Sequence, residues 1–391
     1  MGPLEGVRIL ELAGIGPAPL CAMLLADMGA TVLRIERMQA GEAVLPVPRA
    51  ADVIGRGRES LAIDLKQPAG RELLLRLVEA SDGLIEGFRP GVAERLGIGP
   101  EDCAARNPRL VYGRMTGWGQ DGPLAQSAGH DINYIALSGA LGSMGREGQG
   151  PVPPLNLVGD YGGGTMFLAF GMVCALLERA RSGRGQVVDA AMVDGASVLT
   201  SMFYALRAAG QWSDTPGTNL LDSGAPFYDT YRCACGRHVA VGALEPKFFA
   251  TLARLIGLEE RFVRGQYDRA LWPAMRERLT AIFASRTRDD WAAVLEGTDA
   301  CAVAVLSLDE APLHPHNAAR ATFVRAGDAW HPAPAPRFSR TPARVPDVAP
   351  PVPDPADLLT RMGYAAGEIA GWQNAGVIGR VDAGAQGEAG T

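Results

Sequence analysis

Apolar and β-branched residues cluster at 7–12, 31–35, 83–85 and 110–112, and the stretches between them at 17–28, 70–80 and 100–106 carry apolar residues at helical spacing. Strand, helix and strand repeated in this way predict a parallel sheet with helices on both faces, because a strand buried on both sides reads as a short continuous apolar run. A long helix at 165–181, a strand at 186–190 and a helix at 194–209 continue the layer, so the first domain is predicted over 1–220. From 227 the texture changes. Two alternating runs at 228–233 and 238–243 flank Ala234-Cys235-Gly236-Arg237 and predict a hairpin, and helices follow at 246–256, 271–285 and 288–295. This is a smaller α+β domain, 221–331. The proline-rich stretch 332–355 predicts an extended connector, helical patterns at 357–362 and 366–370 close a C-terminal segment of 332–378, and 379–391 is expected to be disordered.

Composition narrows the classes of function. A chain of 391 residues with 47% hydrophobic and 20% charged residues is a globular protein large enough for two domains. Its 37 basic and 43 acidic residues give a net charge of −6, so no broad basic field is available for nucleic acid or an anionic membrane, and an anionic ligand has to be met by local arginines. Six cysteines are scattered along the chain, and its first residues lack a cationic and apolar leader, which together predict a reduced, cytoplasmic setting. The apolar run 166–177 is shorter than a bilayer span and is read as a buried helix, so no membrane is expected as a partner.

Candidate chemistry sits in three loops. The first strand runs into Gly14-Ile15-Gly16 and a helix, and the second strand ends at Glu36, a pattern that invites a dinucleotide. It is incomplete, since Pro19 stands where the third glycine belongs and Arg34 and Arg37 flank Glu36; an ordinary strand-to-helix turn is the favoured reading. The other two loops are Ser127 to Tyr134, containing His130 and Asp131, and Pro154 to Gly164, where Asn156 and Asp160 precede three glycines. Asp160 reads either as a helix cap or as a reactive carboxylate whose neighbouring N–H groups face an oxyanion. Cys233-Ala234-Cys235 has no second ligand pair at zinc spacing, and His314-Pro315-His316 is a prolyl loop, so no metal site is predicted.

Several segments, taken together and in order, resemble one family. They are residues 2–37, Leu84-Ile85-Glu86-Gly87-Phe88-Arg89-Pro90-Gly91, Arg114-Met115-Thr116-Gly117-Trp118-Gly119-Gln120, Gly129-His130-Asp131-Ile132-Asn133-Tyr134, Asn156-Leu157-Val158-Gly159-Asp160, Gly224-Ala225-Pro226-Phe227-Tyr228-Asp229, Gly242-Ala243-Leu244-Glu245-Pro246 and Met362-Gly363-Tyr364. The family is the family III CoA-transferase (CaiB/BaiF-like) superfamily, and within it the branch that racemises 2-methylacyl-CoA thioesters. The resemblance implies a Rossmann-like large domain completed by the C-terminal segment, a small domain between, and an interlocked homodimer. It also implies an acyl-CoA thioester as substrate, with CoA a part of that substrate and no separate cofactor.

Carried over residue by residue, the resemblance puts His130 and Asp160 at the acid/base pair, Glu245 at a carboxylate that hydrogen-bonds the histidine and Asn156 beside the aspartate, with Asp131 a further member. Inverting a carbon beside a thioester calls for two bases on opposite faces, which a His and an Asp can supply. In the transferase branch the residue at the Asp160 position is instead the nucleophile, and a histidine at 130 favours proton transfer. For the phosphates of CoA the candidates are Arg37, Arg89 and Arg114, followed by Arg56 and Arg58. The sequence departs from the family pattern at Glu59, where a basic residue is usual, which leaves the nucleotide contacts open.

Overall fold

A computed structural model describes residues 2–39, 47–48, 51–326, 329–343, 345 and 352–381. Six parallel strands, β1 (Arg8–Leu12), β2 (Thr31–Glu36), β3 (Arg58–Ile63), β4 (Gly83–Glu86), β5 (Val111–Thr116) and β6 (Val187–Ala191), lie in the order β3-β2-β1-β4-β5-β6. The intervening helices are α1 (Pro17–Asp27), α2 (Pro68–Glu79), the short α3 (Val92–Arg95), α4 (Pro100–Arg106), α5 (Asp131–Leu137), α6 (Met166–Ser182) and α7 (Met192–Leu199). Leu10, Leu84, Ile85, Val111 and Tyr112 are each at most 2% exposed, as expected for strands covered on both faces. Strand order reverses between β1 and β4, so the loops that leave their carboxyl ends part in opposite directions and open a crevice there.

The strand β3 was not expected. Its first residues, Arg58 and Glu59, mask a strand whose inner positions are apolar, and Arg58 is tolerated inside only because Glu11 of β1 meets it at 2.6 Å. Both side chains are buried, and burial pushes the Glu11 carboxyl up against the pull of Arg58. A second buried pair links Arg56 to Asp27 of α1 through two bonds, Nε to Oδ1 at 2.9 Å and Nη2 to Oδ2 at 2.5 Å.

The loop expected at 154–164 is in fact helical: Leu157–Thr165 forms a π-helix that continues into α6. The reason is close packing. A Cβ on Gly163 would meet the backbone nitrogen of Ala196 at 2.6 Å, and one on Gly195 would meet the Gly163 carbonyl oxygen at 1.9 Å, so glycines let the π-helix lie directly on α7. The run 166–177 is part of a joined helix, Leu157–Ser182, that is long and apolar enough, by length and composition, to cross a bilayer; the burial expected of that run is not found, since Met166, Phe170, Val173 and Leu177 are exposed, and the same helix carries Asp160.

A second compact unit comprises Gly139–Pro154 and Thr200–Ala318. It holds α8 (Ser201–Ala208), a three-stranded antiparallel sheet in the order β7 (Tyr228–Arg232), β8 (His238–Gly242), β9 (Ala302–Ala304), and the helices α9 (Pro246–Ile256), α10 (Glu260–Arg264), α11 (Trp272–Phe283), α12 (Arg288–Leu295) and, at its end, α13 (Pro315–Ala319). Phe227, Tyr231, Phe249, Phe283 and Trp291 fill its core. The helix expected at 194–209 is interrupted at Thr200, which is where the chain passes from one unit to the other; the boundary expected at 220/221 therefore falls at 199/200. Residues 139–154 also belong to this unit, because Arg146 is bound there by Asp229, with Nη1 to Oδ2 at 3.0 Å and Nη2 to Oδ1 at 2.6 Å.

From Ala319 the chain rejoins the first unit, earlier than the 331/332 boundary expected. A hairpin, β10 (Phe323–Ala326) with β11 (Ala329–Pro332), comes first, and the Pro332 carbonyl accepts a bond from Arg56 at 2.8 Å. The helices α14 (Pro355–Arg361) and α15 (Ala366–Asn374) then lead to β12 (Ile378–Gly379), which pairs antiparallel with β3 at the sheet edge. Arg76 of α2 anchors this segment: it pairs with Glu368 at 2.8 Å and lies over the rings of Tyr364 and Trp372. Glu59 pairs with Arg361 of α14, so the departure from the family pattern serves the same attachment. Of the tail expected to be disordered, 382–391 lies outside the described residues, as does 346–351 within the expected connector.

Candidate active site

A cavity of about 350 Å³ lies at the carboxyl ends of the strands on either side of the order reversal. It is walled by Ile15, Gly16 and Pro17 after β1, Gly87 to Pro90 after β4, Met115 to Trp118 at the end of β5, and the loop that delivers Gly129 and His130. Asp160 and Met192 complete the wall. This is where an open parallel sheet places its ligand, and the size is that of a small-molecule pocket.

His130 stands at the N-cap of α5, exposed, with its backbone N–H bonded to Asn133 Oδ1 at 3.0 Å. Asp131, the first residue of that helix, turns inward and is 6% exposed. Its Oδ1 accepts the N–H groups of Gly159 and Asp160, each at 2.7 Å, while its Oδ2 is buried with no hydrogen-bond partner among the described residues. A Cβ on Gly159 would come within 2.6 Å of that Oδ1, so glycine is required at 159. Asn156 Nδ2 donates to Asp160 Oδ2 at 3.2 Å.

The Asp160 carboxylate also faces Gly16 at the start of α1, since a Cβ placed there would be 3.6 Å from Oδ2. Burial pushes the Asp160 carboxyl above the ordinary aspartate range and the charge of Asp131 adds to the rise; the Asn156 bond and the nearby His130 oppose it. A carboxyl raised in this way is suited to taking and returning a proton.

Four residues proposed from sequence thus gather in one place: His130 and Asp160 on the cavity wall, Asn156 and Asp131 bonded to the residue or backbone of Asp160. Arg89 lines the same cavity and is exposed, and Arg37 is exposed just beyond β2. Three of the proposed phosphate ligands are placed differently. Arg56 and Arg58 are 2% exposed and committed to Asp27 and Glu11, and Arg114 is held by Glu86 at 2.9 Å and Glu94 at 2.8 Å. The desolvation of a guanidinium explains this: a buried one is retained against a carboxylate, and these three are turned to carboxylates inside the fold. Glu245 lies in the second unit, exposed at the N-cap of α9, on a loop whose Ala243 and Leu244 carbonyls are bonded by Gln266 Nε2 at 3.0 and 2.8 Å.

The expected oxyanion donors are also corrected. The N–H groups of Gly159 and Asp160 point to Asp131, and that of Tyr161 donates to the Asn156 carbonyl at 3.3 Å. They fix the backbone that carries Asp160. Tyr134 and Trp118 carried no catalytic signal in the sequence, yet both line the cavity and meet edge to face, with centroids 4.8 Å apart. The available clues were that both fall in segments that resemble the family and that Tyr134 stands four residues after His130, on the helical turn that follows it. Glu36 pairs with Arg34 at 2.7 Å, as in an ordinary ion pair at a strand end.

Comparison with known proteins shows what the whole chain is similar to. The chain is 46% identical to the α-methylacyl-CoA racemase of Mus musculus and 44% identical to that of Homo sapiens, in each case over 87% of both chains. Among solved structures, a CaiB/BaiF family protein from Brucella suis superposes with a TM-score of 0.75 at 25% identity, over 92% of this chain and 99% of that one. The family model described as CoA-transferase family III matches residues 4–354, and the chain belongs to that family.

Proposed function

We propose that this protein interconverts the 2R and 2S epimers of 2-methylacyl-CoA thioesters. The observation that carries the reading is that His130 and Asp160 line one cavity, the aspartate with a raised pKa and the histidine close enough to act on it electrostatically. One base removes the proton from C2, the electron pair moves onto the thioester oxygen as an enolate, and the conjugate acid of the other returns a proton to the opposite face. The similarity to two mammalian racemases supports the same reading. Asp131 and Asn156 hold Asp160, and Arg89 and Arg37 are the exposed cations we assign to the phosphates of CoA. CoA enters as part of the substrate, in a cytoplasmic setting, and the chemistry requires no separate cofactor.

The family also contains transferases in which an aspartate is the nucleophile; a histidine on the same cavity wall favours proton transfer instead. The test is the optical inversion of a single epimer. His130→Ala and Asp160→Ala are each expected to abolish it with folding unchanged, and Glu245→Gln to slow it less. Full inversion by either alanine variant, or CoA transfer to an added free acid by the unmodified protein, would refute the reading.

We further propose that the protein is an interlocked homodimer. On α6, Met166, Phe170, Val173 and Leu177 are 55%, 70%, 42% and 62% exposed, at the spacing of a single helical face. Apolar stripes of that length on a globular protein mark a partner surface, and a second copy of this chain is the partner the family relationship favours.

A further inference from the structure

The peptide group between Gly129 and His130 is held from both sides by the helix it leads into. Its carbonyl accepts a bond from the Tyr134 hydroxyl, and its N–H donates to Asn133 Oδ1 at 3.0 Å. With oxygen and nitrogen both engaged, the peptide plane cannot rotate, and its plane sets the direction in which the imidazole leaves the main chain. The Tyr134 ring is itself confined. It is 6% exposed and edge-on to Trp118, and a Cβ on Gly117 would lie 2.1 Å from the ring, one on Gly129 2.7 Å. The two glycines leave the ring a single place, from which the hydroxyl reaches the carbonyl.

The hydroxyl also stands among the charges of the site. Asp160 and Asp131 push its ionisation up and Arg89 pulls it down, while burial is the largest influence. Tyr134 therefore stays a neutral donor at neutral pH and does not compete with His130 for protons.

We propose that Tyr134 is a positioning residue for His130: it does not exchange a proton with the substrate, and it aims the imidazole by fixing the Gly129 carbonyl. Asn133 completes the clamp. The inference rests on the racemase reading, in which His130 serves one face of C2 and Asp160 the other. It has a signature that a general structural role lacks. Misdirecting His130 slows proton removal from one epimer, while Asp160, anchored separately through Asp131 and Asn156, continues to exchange the proton of the other.

The experiment follows α-proton loss from each epimer of a 2-methylacyl-CoA separately, in D₂O under single-turnover conditions, for the unmodified protein, Tyr134→Phe and Gly117→Ala. Phenylalanine keeps the ring and its contact with Trp118 and removes only the hydroxyl bond; the Gly117 variant displaces the ring. Loss of one hydrogen bond corresponds to about a tenfold reduction. That reduction is expected for one epimer alone in Tyr134→Phe, and one at least as large, for the same epimer, in Gly117→Ala. Equal slowing for both epimers, or no slowing, would overturn the assignment of Tyr134 while leaving the racemase reading intact. Absence of exchange from either epimer in the unmodified protein would overturn both.

Discussion

Asp131 Oδ1 accepts the backbone N–H of Asp160 at 2.7 Å, so one carboxylate fixes the main chain that carries the other. The same oxygen takes the N–H of Gly159, and the second oxygen of Asp131 is buried without a partner among the described residues. Asp131 therefore acts on Asp160 twice, as an acceptor that sets its position and as a charge that raises its pKa. Replacing Asp131 by Asn keeps an acceptor oxygen and removes the charge. Asp160 then ionises more readily, and the acid limb of kcat/KM is expected to move to lower pH. Because the folded pKa of Asp160 lies above the unfolded one, its ionisation costs stability as pH rises from the unfolded toward the folded value, and Asp131→Asn should lessen that loss. An acid limb that stays in place or moves upward would show that the two carboxylates are not coupled.

The π-helix depends on the contact between Gly163 and Gly195. Gly195→Ala would put a methyl group 1.9 Å from the Gly163 carbonyl oxygen and must push the Asp160 segment off α7. Destabilisation of about 1–3 kcal/mol is expected from overpacking, together with loss of inversion. Gly142→Ala, whose Cβ meets none of the described residues within 4 Å, serves as the control. Chemical denaturation of both variants measures the first effect; an active, fully stable Gly195→Ala would remove the close contact from the account.

Buried and exposed arginines should fail in different ways. Arg58→Met leaves Glu11 buried and unpaired, which costs about 3–5 kcal/mol, whereas Arg89→Ala should raise KM for a CoA thioester without moving the unfolding transition. An Arg58 variant of ordinary stability but raised KM would reverse the assignment of these two residues.

Phe170→Asp places a charge in the middle of the α6 stripe. Sedimentation of the unmodified protein is expected to give a dimer whose subunits exchange very slowly on dilution, and the variant to shift toward smaller species. A monomeric and active unmodified protein would contradict the interlocked arrangement, and association of the α6 face with lipid vesicles in place of a second copy would assign that face to a membrane.

The parallel sheet was legible because β1, β2, β4 and β5 are apolar runs of strand length, separated by helical spacing. The strand β3 was not, since the partner that permits Arg58 inside lies 47 residues away in sequence, and no local pattern reports a long-range ion pair. For the same reason Arg56, Arg58 and Arg114 looked available to phosphates: a buried guanidinium and an exposed one are the same letter. His130, Asp131, Asn156 and Asp160 were found because they sit in polar loops and match a family motif. The π-helix was missed because Gly162-Gly163-Gly164 reads as a breaker, whereas here the missing side chains admit α7. Tyr134 was missed because its spacing from His130 places the two on one helical turn but does not say where the hydroxyl points.

The most direct test of two-base chemistry at His130 and Asp160 is to incubate the protein with a single C2 epimer of a 2-methylacyl-CoA in D₂O and follow inversion and deuterium uptake at C2 together. The account predicts inversion accompanied by deuterium incorporation, abolished in Asp160→Ala. Failure to exchange the C2 proton, with CoA passing to an added carboxylic acid through Asp160, would contradict it.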